Sequence, residues 1–257
     1  VEVEALVPIS ADWQFEIRST TFGAGTASLW VTNAQGLVDG VTVRSSDVTA
    51  LGRAGAIGNV DDADVRSIDI EFMVRSGTAS ACLAAFDDVV EAFRPATSEA
   101  TLDIRYPGAP ETTVRFYGRP RGVRAGSVGE SARGVMRGGV ARFEALDPLR
   151  YGAGTVSTTN AGNASTDRAT ITLTGTGGTP SITNTSDSSG AIVWNTTLAG
   201  SATRIIDLRA KTVVDGSGTD YRSEVLNTST WFRFVPGTNT LTVSGCSQST
   251  SLRPAWY

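Results

Sequence analysis

Histidine is absent from the 257 residues, and that absence removes most familiar site chemistry. No imidazole can activate a serine or cysteine, ligate zinc or titrate near neutrality. Cys82 and Cys246 are the 2 cysteines, too few for a Cys₄ site or a disulfide framework. One in each half reads as two buried free thiols, with a Cys82–Cys246 bridge as the lesser alternative. Carboxylates remain. Asp61-Asp62-Ala63-Asp64 lacks the spaced ligands and terminal Glu of a calcium loop, so it reads as a solvated acidic loop. Asp215 and Asp220 flank a Gly-Ser turn and read as an Asx-type turn. Asp103 and Glu144 lie on the polar phases of expected strands, with a glycosidase-like pair as a remote alternative. Ser131, in Gly129-Glu-Ser-Ala-Arg133, has no nucleophile elbow around it and no histidine to activate it. Gly23-Ala-Gly25 and Gly175-Thr-Gly-Gly178 are not followed by helical patterns, so both read as turns rather than phosphate cradles. No catalytic residue, metal ligand or cofactor site is expected.

Charge singles out one region. The chain carries 22 basic and 26 acidic residues, a net charge of −4, so no general excess for nucleic acid exists. Lys211 is the only lysine, which reads as a coding bias toward arginine. Residues 1–152 hold 15 arginines against 20 carboxylates. Within them, residues 115–150 run the other way, with eight arginines against Glu130, Glu144 and Asp147. Glycines punctuate that stretch. It reads either as a long exposed hairpin tip or as a docking loop between subunits or partners. Arg119, Arg121, Arg124, Arg133 and Arg137 are its candidate contacts. Aromatic side chains for base stacking are missing from 119–139, so specific nucleic-acid binding is not expected.

The elements that would carry these residues are mostly short strands. Ile68, Ile70, Phe72 and Val74 alternate with polar residues over 65–74, the period of a strand buried on one face. The same pattern marks 101–106, 113–117 and 140–146; segments 13–18, 28–32 and 41–48 are further candidates. The exception is 78–93. Leu83, Phe86, Val90 and Phe93 recur at helical spacing, Thr78 or Ser80 can cap the start, and Pro95 stops it. A lone helix among strands covers one face of a sheet or barrel. Composition changes near residue 152: Ser plus Thr number 22 in the first 152 residues and 36 in the last 105. We expect a first domain at 1–152, a linker at 153–165 and a second domain at 166–257. In the second domain, strands are expected at 169–174, 190–195, 203–209, 222–226, 231–235 and 240–245. Gly-rich turns between them suggest a β-sandwich. Trp194, Trp231, Phe232 and Phe234 are its natural core anchors. No run of 18 apolar residues exists, so no membrane span is expected.

Four segments, in order, resemble one known family. They are Trp13-Gln-Phe-Glu-Ile-Arg18 with Thr21-Phe-Gly23, then Val43-Arg44-Ser-Ser-Asp47 with Arg66-Ser-Ile-Asp-Ile-Glu71 across a loop bearing Gly52, Gly55 and Gly58. Phe143-Glu-Ala-Leu-Asp147-Pro148-Leu-Arg-Tyr151 follows, and last Trp231-Phe-Arg-Phe-Val-Pro236-Gly237-Thr-Asn239-Thr-Leu241 with Arg253-Pro-Ala-Trp256. Their order resembles the distal tail protein of long-tailed, siphovirus-type bacteriophages, often called a minor tail protein in phages of actinobacterial hosts. The resemblance implies an all-β fold with one helix. Its first domain would be similar to tail-tube subunits, a β-barrel or split sandwich, and its second a galectin-like β-sandwich.

It further implies a structural role without catalysis. Copies of the first domain would form a ring, a hexamer in this family, that joins the tail tube to the baseplate or tip hub. Implied partners are further copies of the chain, the tail tube protein, tip and hub proteins, and the tape measure protein. The implied location is the virion tail tip, after assembly in the bacterial cytoplasm. Loops 50–64 and 119–139 are the candidate ring contacts. The alternative reading is an adhesion module whose second domain holds a host surface glycan, with Tyr221 and Trp256 as candidate platforms. Core packing is the expected fate of Trp194 and Trp231.

Overall fold

Side-chain alternation is what folds the first half of the chain. The computed structural model describes residues 11–24, 28–37, 39, 43–44, 48–49, 56–57, 62–107, 113–126, 135–188 and 190–257. The chain divides into two compact units, Val1–Arg150 with Tyr257, and Tyr151–Trp256. The first holds β1 (Gln14–Ile17), β2 (Thr20–Gly23), β3 (Leu29–Gln35) and four two-residue strands, β4 (Val43–Arg44), β5 (Val48–Thr49), β6 (Ala56–Ile57) and β7 (Asp62–Ala63). Then come β8 (Arg66–Arg75), α1 (Ala79–Ala92), β9 (Ala100–Arg105), β10 (Val114–Ala125) and β11 (Met136–Gly152). Seven strands of this unit run in one sheet in the order β2-β1-β9-β10-β11-β8-β3, and the two end strands approach each other, so the sheet is nearly closed and barrel-like. β4 pairs with β7 and β5 with β6 in separate small ladders.

The inner face of the sheet collects the apolar phase of every strand. Phe15, Phe22, Ile68, Ile70, Leu102, Ile104, Val114, Phe116 and Phe143 are fully buried in one core. Truncating any one of these phenylalanines to alanine costs roughly 3–5 kcal/mol. Two strands outrun their sequence signal: β10 continues past Pro120 through Gly122, and β11 runs through Pro148. β2 gave no signal because its four residues, Thr-Thr-Phe-Gly, hold one large apolar side chain. The β1–β2 hairpin turns through Arg18 and Ser19, both at positive φ (47° and 62°), the geometry whose twist matches paired strands. Arg18 then reaches the end of the helix, donating to Arg94 O at 3.0 Å.

α1 matches the expected span and cap: the Thr78 hydroxyl accepts from Ala81 N at 3.2 Å. Its buried face is different. Cys82, Phe86, Val89 and Ala92 face the core, whereas Leu83 and Val90 are 41% and 39% exposed. The helix offers two apolar stripes about 100° apart. The stripe bearing Cys82 and Phe86 packs, because the Phe86 ring meets Phe72 at 5.7 Å and the Cys82 thiol meets Val74 O at 3.8 Å.

The second unit contains β12 (Thr159–Asn160), β13 (Ala169–Gly175), β14 (Ser181–Asn184), β15 (Gly190–Val193), β16 (Thr203–Asp207) and β17 (Thr212–Val214). After a 3₁₀ turn at Arg222–Glu224 follow β18 (Gly237–Thr238), β19 (Leu241–Ser244), β20 (Cys246–Leu252) and β21 (Ala255–Trp256). Two sheets, β17-β16-β13-β20 and β15-β14-β19, share a core of Ile171, Leu173, Ile182, Ile192, Ile206 and Leu252. Segments 222–226 and 231–235, expected as strands, form no ladder. They attach through single bridges, Trp194 to Val225 and Thr166 to Phe234. Residues 153–165, expected as a linker, lie in the second unit. Val156 exchanges both backbone hydrogen bonds with Leu252 (2.9 and 2.8 Å), and Asn160 is fully buried.

Three buried amides fasten the irregular parts of this unit. The Asn160 side chain donates to Ala164 O (2.7 Å) and Phe234 O (3.1 Å) and accepts from Gly162 N and Ala255 N. Asn239 donates to Val235 O (2.8 Å) and Gly237 O (3.0 Å) and accepts from Val235 N. Asn184 donates to Arg233 O (2.8 Å) and to the Asn239 carbonyl oxygen (3.1 Å). Each amide supplies donors and an acceptor at once, which buried loop backbone needs and apolar side chains cannot provide.

Candidate functional site

The arginines of β10 and β11 gather on the outer face of the first unit's sheet. On β10, Val114 and Phe116 point inward, so Arg115, Arg119 and Arg121 point outward; on β11, Ala141 and Phe143 are inward and Arg142 outward. Antiparallel register then sets acid against base. Arg115 lies opposite Asp103 on β9 and Arg142 opposite Asp69 on β8. The Arg115 guanidinium grips Asp103 with two bonds, at 2.6 and 2.5 Å, both side chains being nearly buried. That bond, acting against desolvation, pushes Arg115 above the ordinary arginine range. Arg142 holds Asp69 at 2.9 and 3.1 Å and is raised by that bond. Arg121 meets Glu144 at 2.6 Å. The basic excess of 115–150 is therefore partly neutralised by Asp69 and Asp103, which lie outside that stretch.

The remaining candidates separate. Arg124 is exposed, and its side chain has no hydrogen bond or ion pair among the described residues. Arg119 Nε is buried without a hydrogen-bond partner. Arg137 lies on the other face, its guanidinium 5.9 Å from the Phe86 ring centroid, so it is not part of the outer cluster. Arg133 lies outside the described residues, as does most of the 50–64 loop. At Gly122 the strand adopts φ 98°, a left-handed kink that suits glycine. Beside it, Asp69, Arg121, Val123, Arg124, Val140 and Arg142 line a notch of about 310 Å³.

Arg66 is a positioning residue that sequence reasoning missed. It is 6% exposed. Its guanidinium donates to Pro148 O (2.9 Å), Gly36 O (3.1 Å), Leu37 O (3.2 Å) and Asp39 O (3.0 Å). Burial, with Arg150 nearby, lowers its pKa from the usual value. One cation thus ties the turn after β3 to the Asp147-Pro148 segment of β11. No local motif announces this, because its partners lie 27 to 82 residues away.

The carboxylate candidates are engaged structurally. Asp103 and Glu144 sit in separate ion pairs. Asp64 accepts from Val65 N at 2.8 Å, and Asp61 lies outside the described residues. Asp215 Oδ1 accepts from Ser217 N, Ser217 Oγ and Thr219 N, an Asx-type turn. The Ser217 hydroxyl, then the Thr219 amide, lower its pKa. Asp220 accepts from Arg222 N at 2.8 Å. Among the described residues no group of three or more His, Cys, Asp or Glu is placed to hold a metal ion. Gly25, Gly129 and Ser131 lie outside the described residues. Gly175, by contrast, is a tight packing point, where a Cβ would come within 2.2 Å of Ala199 O. Both cysteines are free, Cys82 buried and Cys246 half-buried, and burial pushes the Cys246 thiol up.

In the second unit the aromatic candidates are covered. Trp194 is 2% and Trp256 8% exposed. The Arg204 guanidinium lies 3.5 Å over the Tyr221 ring and is held there by Glu224 at 3.2 Å. Arg222 stands 5.1 Å over Trp231. The exposed tryptophans are in the first unit instead, Trp13 at 47% and Trp30 at 38%. No described helix is long and apolar enough to cross a membrane.

Comparison with known proteins supplies the context for these surfaces. Residues 161–256 match the family model of the siphovirus-type tail component, C-terminal domain. Among curated protein sequences no match is found. Among solved structures, the chain is similar to the Dit protein of phage SPP1, described as a paradigm of the hub adsorption apparatus in phages infecting Gram-positive bacteria. That match has TM-score 0.70 and 16% identity, over 95% of this chain and 99% of that one. Chains of the phage P2 baseplate in its activated conformation match at TM-score 0.58 with Ca (8% identity, 94% of this chain, 97% of that one). With Sr the match is at 0.57 (9% identity, 93% and 97%). The tail-component family model thus lies within the second unit, and the solved structures share the fold of nearly the whole chain.

Proposed function

We propose that this chain is the repeating subunit of a closed ring, a hexamer, that joins the tail tube to the tip or baseplate hub. The reading gives it four kinds of partner: further copies of itself, the tail tube protein, tip and hub proteins, and the tape measure protein. It works in the virion after assembly in the host cytoplasm and carries out no catalysis. The observation that carries the reading is the tail-component domain at 161–256 within a fold shared, nearly end to end, with a hub protein. The engagement of Asp103, Glu144 and Asp215 in ion pairs and turns accords with it. The glycan alternative gains no support from Tyr221 or Trp256, since one is covered by Arg204 and the other is buried.

The test is mass in solution by light scattering on a sizing column, with negative-stain images. Ring-shaped particles near six times 26.8 kDa are expected. A chain that stays monomeric up to about 1 mM, a concentration at which even weak contacts associate, contradicts the reading.

A further inference from the structure

Two surfaces of the first unit carry opposite charge, and they stand on opposite sides of its sheet. α1 packs on the inner face through Phe86 and Cys82. Its solvent side shows Leu83 and Val90 together with Asp87, Asp88 and Glu91, and no basic residue lies within the helix. All three carboxylates fall in its second half, toward the negative end of the helix dipole, where a carboxylate is destabilising. Arg94, 3.3 Å from Glu91, and Arg18, on the Arg94 carbonyl, offset part of that. The Asp88 carboxylate has no hydrogen bond or ion pair among the described residues. Beside Asp88 and Glu91 runs a groove of about 530 Å³, bounded by Arg18–Thr21. On the outer face, the notch at Gly122 presents Arg121, Arg124 and Arg142 around Val140, with Asp69 on Arg142 and Glu144 on Arg121. Its Arg124 also lacks an acceptor.

We propose that these surfaces are the two halves of one interface: the solvent side of α1 in one copy docks on the arginine notch of the next, with Asp88 reaching Arg124. The proposal rests on the ring reading above and names the contact that would close the ring. The occupant is a second copy because the complement of each surface is present on the same chain. Asp88 on the helix meets Arg124, which has no acceptor of its own; Arg121 and Arg142, paired with Glu144 and Asp69, flank that contact, and the exposed Leu83 and Val90 meet Val140. A local conflict, acids at the wrong end of a helix, is resolved when cations from a neighbour arrive. Because the two surfaces differ, the contact is heterologous. It repeats head to tail and closes into a ring when the rotation between copies allows.

The experiment measures self-association of the full chain by sedimentation equilibrium for four proteins: wild type, Asp88→Arg, Arg124→Asp, and the double variant with both changes. Both positions are exposed, and an unchanged thermal midpoint confirms that each variant is folded. Each single reversal is expected to weaken association about ten-fold or more, and added salt to weaken the wild type. The double variant, in which every interface again pairs Arg with Asp, is expected to regain most of the loss. If wild type assembles and a single reversal leaves assembly unchanged, or the double recovers nothing, the interface proposal is overturned while the ring reading stands. If wild type remains monomeric at all concentrations, the ring reading fails and the interface with it.

Discussion

Two places, the β9–β10 ladder of the first unit and the irregular segments of the second, meet the same problem, polar groups inside a β structure, with different chemistry. Between β9 and β10 of the first unit, side chain pairs with side chain. Arg115 and Asp103 face each other across β9 and β10, and each satisfies the other. The second unit pairs side chain with backbone. Asn160, Asn184 and Asn239 are almost fully buried and spend their amides chiefly on peptide groups of irregular segments. The difference has a consequence for substitution. A side-chain pair can be exchanged as a unit for apolar residues, because nothing unsatisfied remains. An amide that serves the backbone cannot, because its partners are peptide groups. Arg66 in the first unit behaves like these amides, since all four of its acceptors are carbonyl oxygens.

Substitutions at three sites break or sharpen that contrast, each followed by urea denaturation with separate probes for the two units. Arg66→Met should have the largest effect, roughly 3–5 kcal/mol, because it strands several carbonyls at once. A loss under ~1 kcal/mol would show that water replaces the guanidinium freely. Asp103→Ala alone should cost about 3–4 kcal/mol by leaving Arg115 unpaired, whereas Asp103→Val with Arg115→Leu should return to within ~1 kcal/mol of wild type. Equal losses in the single and double variants would remove the distinction between the ion pair and the amides. Asn239→Ala should cost roughly 2–4 kcal/mol in the second unit, and Asn239→Leu should recover none of it. Recovery by leucine would mean that packing, not hydrogen bonding, sets that position.

The smallest effect concerns pH. The Asp215 pKa is depressed in the folded state by Ser217 and Thr219. Its contribution is therefore present above the ordinary carboxylate range and lost as pH falls through the lowered folded value. The difference in thermal midpoint between wild type and Asp215→Ala should shrink on acidification. A difference that holds steady or grows would exclude the charged form as the source.

Much of the architecture was legible because it is local. Thr78 announces the helix start, and Ile68-to-Val74 alternation announces β8. What failed depended on remote partners or on polar strands. β20 escaped because Ser247, Ser249 and Ser251 alternate with Gln248 and Thr250, giving no apolar phase to read. The choice between the Cys82 and Leu83 stripes of α1 depends on Phe72 and Val74, outside the helix. The charge of 115–150 was overread because a count along the chain cannot see Asp69 and Asp103 arriving by register. Asn160 and Asn239 sit in turn-like sequence, Asn-Ala-Gly and Pro-Gly-Thr-Asn, which marks them for Asx geometry but not for burial.

The ring itself is the central claim, and imaging it in place tests it most directly. Electron cryo-microscopy of tails that contain this chain should show six copies in a closed ring at the end of the tail tube, with α1 of each copy against the outer sheet face of the next. A single copy at the tip would contradict the account; a ring whose neighbours touch through other surfaces would keep the ring and overturn the contact between α1 and the notch.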